Sequence, residues 1–153
     1  MKNDIIIRLE NTMFNTKNIE NHLPKAKDKN DYVNTSLPKC NVNHNLLEIN
    51  ELLSKMKSIG KNVNVKIVTS FRGNCVFKLL ENNKIFGVEV CSSIEQAINN
   101  EINSKTLVIS TNDNDIQFAT QNDVAIATNI DDKNSILESI GIKQLKKRDR
   151  KAA

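Results

Sequence analysis

The stretch Asp4-Ile5-Ile6-Ile7-Arg8-Leu9 limits the fold of this chain more than any other. Its apolar residues run consecutively instead of alternating, so a strand formed here must be covered on both faces. That is the environment of the middle of a parallel sheet. The run passes directly into the polar residues Glu10-Asn11-Thr12. A polar loop at the carboxyl end of a central parallel strand lies where open α/β sheets bind their ligands.

The rest of the chain supplies partners for such a strand. Residues 13–42, with Pro24 and Pro38 among many Asn and Lys, read as an irregular excursion or flap, long for a connection in a compact domain. Leu46, Leu47, Ile49, Leu52, Leu53, Met56 and Ile59 recur at helical spacing before Gly60, which predicts a helix with a glycine stop. Further strands are predicted over 63–68, 85–90, 106–110 and 124–128, with helices over 75–81, 92–102 and through Phe118 between them. A last helix is expected from Asp131 or Asp132, carrying Ile136, Leu137, Ile140 and Leu145. Strands alternating with helices predict an α/β fold: one Rossmann-like domain over residues 1–142 with a five-stranded, mostly parallel sheet flanked by helices.

Composition excludes several classes. No apolar run approaches the length of a membrane span, and the N-terminus lacks the pattern of a secretory signal, so a cytoplasmic or virion-associated protein is expected, not a secreted one. Cys40, Cys75 and Cys91 form no Cys-x-x-Cys pair, and His22 and His44 stand at no ligand spacing from them, so neither a disulfide frame nor a metal site is expected. Asn, Ile and Lys make 60 of the 153 residues, the bias of an AT-rich genome. The net charge of +4 divides into +5 on residues 143–153 and −1 on the remainder. That basic tail (Lys143, Lys146, Lys147, Arg148, Arg150, Lys151) suits nucleic acid or an acidic protein surface, and equally a solvated helix end.

Three polar stretches follow predicted strand ends: Arg8–Thr12, Thr69–Arg72 and Thr111–Asp115. In this order they resemble the haloacid dehalogenase-like superfamily of phosphatases, and in particular small nucleotide and polynucleotide phosphatases of phages. The family pattern is an apolar strand followed by Asp-x-Asp-x-Thr, which Ile5-Ile6-Ile7-Arg8-Leu9-Glu10-Asn11-Thr12 matches in register. A second strand ends in Thr or Ser, matched by Thr69. A third motif gives a lysine, whose place falls near Cys91, with Lys84 only a loose substitute. A fourth strand ends in Gly-Asp with a later acid, and here Ser110, Thr111 and Asp115 stand in those places.

The resemblance implies a magnesium-dependent phosphotransfer site, and the residues depart from it. Arg8 replaces the nucleophilic aspartate, and a guanidinium is always a donor, neither a nucleophile nor a ligand for a hard cation. Glu10 replaces the acid/base aspartate with a longer arm, Thr111 a metal-binding aspartate, and Cys91 the lysine. No catalytic residue or resident cofactor is therefore expected, magnesium being implied only if an altered enzyme survives. The leading expectation is a catalytically inactive structural or interaction protein of a phage particle or other large assembly, with other proteins as partners. The alternatives are a divergent phosphatase using Glu10, Asp113 or Asp115, and a nucleic-acid-binding module acting through the tail.

Arg8 itself has three readings: an ion pair with Glu10 or Asp115 that closes the site, a surface or interface arginine, or an anion ligand beside Thr69 and Arg72. Asp113 and Asp115 read as a polar turn and helix start in preference to a cation site. Ser70-Phe71-Arg72-Gly73 reads as a strand-to-helix turn, lacking the glycine run and Lys-Ser/Thr of a phosphate loop.

Overall fold

A computed structural model describes residues 3–43, 45–58, 63–98 and 106–128. The stretch Asn3–Arg8 forms β1, and its two neighbours are β4 (Val63–Val68) and β6 (Thr106–Ile109). β5 (Glu89–Cys91) and β7 (Ala125–Ala127) lie outside them, giving the order β5-β4-β1-β6-β7 with every pairing parallel. The first strand of the chain is thus the centre of the sheet, as its unbroken apolar run requires. The described part is a Rossmann-like α/β fold, and none of its helices is long and apolar enough to cross a membrane.

The isoleucine triplet is divided between two cores by the two-residue period of a strand. Ile5 and Ile7 point to one face with Ile67, Leu107 and Ile109. That face packs against α3 (Asn45–Ser58) through Leu46 and Ile49, and α4 (Asn74–Asn82) through Val76, Leu79 and Leu80. Ile6 points the other way with Val68 and Val108, against α5 (Ile94–Ile98) and α6 (Asp113–Gln121). All three isoleucines are at most 1% exposed, and burying each such side chain contributes roughly 1.5–3 kcal/mol.

Two expectations are corrected. Residues 13–42 are not irregular: they hold β2 (Phe14–Asn15), α1 (Lys17–His22), α2 (Lys29–Ser36), β3 (Asn41–Val42) and two 3-10 turns. β2 and β3 pair antiparallel, Pro24 and Pro38 sit in the first positions of the 3-10 turns, and Asp28 caps α2 by accepting the Asp31 N–H. These pieces are too short and too weakly amphipathic to leave a clear periodic signal, yet Phe14, Ile19 and Leu37 anchor them in the core. The strand expected over 85–90 begins only at Glu89, because Gly87 takes φ +71° and bends the approach. The strands expected over 63–68, 106–110 and 124–128 and the helices over 75–81 and through Phe118 appear within a few residues of their expected bounds, while the glycine stop at Gly60 and the helix end expected at Ile102 lie outside the described residues. The helix expected after Asp131 and the basic tail from Lys143 to Lys151 lie outside the described residues.

Candidate functional site

The carboxyl end of β1 delivers Arg8, Glu10 and Thr12 to one place, and β4 and β6 deliver their own ends beside it. A tight turn makes this geometry. The Met13 and Phe14 N–H groups both donate to the Leu9 carbonyl, and the Asn11 N–H donates to the Phe14 carbonyl at 2.7 Å. Asn11 closes the turn with φ +59°, a left-handed conformation that Asn adopts more readily than most side chains. Its carbonyl accepts from the Asn43 amide and the Thr111 hydroxyl, so the turn, the flap and the β6 end share one residue.

Arg8 and Asp115 form the centre. Arg8 Nε donates to Asp115 Oδ2 and Arg8 Nη2 to Asp115 Oδ1, both at 2.7 Å, in the two-pronged geometry natural to a guanidinium and a carboxylate. The Ser110 hydroxyl also donates to Asp115 Oδ2, at 2.7 Å, and accepts the Asn112 N–H. Asp115 sits in the first turn of α6, where a carboxylate is favoured by the helix dipole. Asn112 caps that helix by accepting the Asn114 and Asp115 N–H groups. Burial is the largest influence on Arg8 and would lower its pKa. The hydrogen bonds to Asp115 and the charges of Asp115 and Glu10 together outweigh it and raise the pKa.

Glu10 lies on the other side of Arg8, its Oε2 3.6 Å from Arg8 Nη1. That oxygen is bound more closely by Ser70, whose N–H donates at 3.0 Å and whose hydroxyl donates at 2.7 Å. Glu10 Oε1 is buried without a hydrogen-bond partner. Thr12 Oγ1 accepts the Thr111 N–H at 3.0 Å and lies 3.2 Å from the Thr111 hydroxyl, tying the turn to the end of β6.

The three stretches therefore converge, and the ion-pair reading of Arg8 is the one the geometry realises. Thr69 is close by but buried, its hydroxyl accepting the Phe71 N–H. Arg72 is exposed at the start of the turn into α4. Cys91 ends β5 and is buried, its carbonyl accepting the Thr69 N–H; its thiol pKa is raised by burial, then by Glu89, against the opposing effect of Lys66. Lys84 lies in the turn before β5, away from the strands' carboxyl ends, so it cannot stand in for a lysine there. Asp113 is exposed on the first turn of α6, and among the described residues no group of three or more His, Cys, Asp and Glu is placed to hold a metal ion.

Sequence reasoning assigns no contact to Ser70 or Ser110, although each gives a 2.7 Å hydrogen bond to a site carboxylate. Their one signal is position, just beyond the ends of β4 and β6.

No family model, no curated protein and no solved structure matches this chain.

Proposed function

We propose that this protein is a non-catalytic relative of the haloacid dehalogenase-like phosphatases that serves as a structural or interaction component of a larger assembly. The observation that carries the reading is the two-pronged pair of Arg8 and Asp115. It puts a fixed cation in the place of the family's nucleophile and commits both oxygens of the surviving acidic position to that cation. Magnesium needs oxygen ligands in near-octahedral array, and a guanidinium among the carboxylates both repels it and takes its ligands. No side chain at the Arg8 position is left to attack phosphorus. Convergence of the three strand-end stretches on a central parallel strand supports the family relationship.

The test is turnover of p-nitrophenyl phosphate and nucleotide 5′-phosphates with magnesium. The expected result is no activity above background, unchanged in Glu10→Gln. Magnesium-dependent turnover that Glu10→Gln abolishes would establish a divergent phosphatase instead. Co-purification of a stoichiometric protein partner with the native chain is expected, and a solitary monomer would count against the assembly role.

A further inference from the structure

Among the described residues, the sheet is incompletely covered where β5 falls short of the first residues of β4. Val65 belongs to β4 and pairs with Ile5 of β1, but β5 begins only opposite Lys66, so on its other side Val65 has no strand neighbour and the segment 83–88 stands there instead. Val65 is only half-buried, as are Leu53 of α3 and Ile85 and Val88 before β5. They line a cavity of about 350 Å³ between α3 and the segment 83–88, floored by core residues such as Ile67. That volume lies at the lower end of the range for small-molecule sites, roughly 300–1,000 Å³. Phe86 stands at the rim, 69% exposed.

The charge among the cavity's described lining residues has one sign. Among the described residues that line it, Lys84 alone is ionisable, and none is a carboxylate. Lys84 is exposed and is held in the left-handed backbone region, φ +58°, just beyond the end of α4. Its companions Asn50, Ser54 and Asn83 are neutral polar groups. A recess with the apolar side chains Leu53, Val65, Ile85 and Val88 on its wall, and Lys84 as the one ionisable group among its described lining residues, complements a molecule with an apolar chain and one negative end.

We propose that this cavity binds a small anionic amphiphile of the medium-chain carboxylate type. Its chain lies against Leu53, Val65, Ile85 and Val88, and its carboxylate meets Lys84. This site is separate from the Arg8–Asp115 centre and does not depend on that centre being inactive.

The test titrates the full chain with octanoate, octanol and acetate, following the methyl signals of Ile, Leu and Val by NMR. Octanoate is expected to shift Leu53, Val65, Ile85 and Val88 selectively, octanol to do so more weakly, and acetate not at all. Lys84→Gln should weaken octanoate by roughly threefold, the scale of one exposed ion pair, and leave octanol unchanged. Ser54→Phe, at an exposed helix position on the cavity wall, should block both without touching the core. Equal binding of octanoate and octanol would overturn the charge assignment. No saturable shift at these methyls, or shifts that survive Ser54→Phe, would overturn the site.

Discussion

Arg8 and Asp115, 107 residues apart in sequence, are joined by two 2.7 Å hydrogen bonds at the carboxyl end of the central strand. Their side chains are 11% and 5% exposed, so the pair is largely out of water. Removing one partner from such a pair leaves the other charge buried and unpaired, a larger cost than the pair's own net contribution. Arg8→Met and Asp115→Asn should each destabilise the protein by about 3 kcal/mol in urea unfolding. The double variant Arg8→Met/Asp115→Leu should cost clearly less than the sum, and additive losses would show that the two residues act separately.

Glu10 is expected to behave differently from Asp115, although both flank the same arginine. Its contact with Arg8 is 3.6 Å, beyond hydrogen-bond reach, and its Oε1 already lacks a partner. Glu10→Gln keeps an oxygen for Ser70 to donate to, so its stability should lie within about 1 kcal/mol of the parent. A loss comparable with that of Asp115→Asn would mean Glu10 shares the ion pair equally.

Arg8→Asp would bring a new carboxylate together with those of Glu10 and Asp115 at one point, without a cation between them. Self-repulsion should lower the melting temperature in a chelating buffer, and millimolar magnesium should restore several degrees of it. The parent protein should show no such response. Failure of magnesium to rescue the variant would argue against the family register of these positions.

The site was legible in part, and the reason lies in how far each contact reaches. Ile5 to Ile7 announced a central strand because burial on both faces is written in consecutive residues. The approach of Arg8 to Asp115 could be anticipated only from a family register, since 107 residues separate them. Ser70 reaches Glu10 across 60 residues, and nothing in the local sequence around either marks the contact. The helix Lys29–Ser36 was missed because it has no buried residue of its own, while Asp28 and Asp31 were the available sign of its start. The strand predicted from Ile85 failed on Gly87, where an apolar run conceals a backbone turn.

Asn112 caps α6 with two accepted N–H groups and so also sets the position of Asp115. Asn112→Ala should cost about 1 kcal/mol, and Asn112→Asp should recover most of it. Thermal unfolding of both variants provides the measurement.

Two thiols give the protein an alkaline dependence. The pKa of Cys40 is raised by burial and then by Glu20, and that of Cys91 by burial and then by Glu89. As pH rises past the ordinary thiol value, about 8.5, the unfolded chain loses these protons while the folded chain keeps them. The folded state then binds more protons, so stability falls until the raised native values are passed. Unfolding free energy measured from pH 7.5 upward should decline more steeply in the parent than in Cys40→Ser/Cys91→Ser. Equal slopes would assign the decline to other groups.

The strand order carries a consequence for how the chain is made. β1 leaves the ribosome before either of its sheet neighbours, residues 63–68 and 106–109. At roughly 5–20 residues per second, the isoleucine triplet waits several seconds for its first partner and longer for its second. During that interval the most apolar segment of the nascent chain is unpaired on both edges, which makes it the natural binding point for a chaperone.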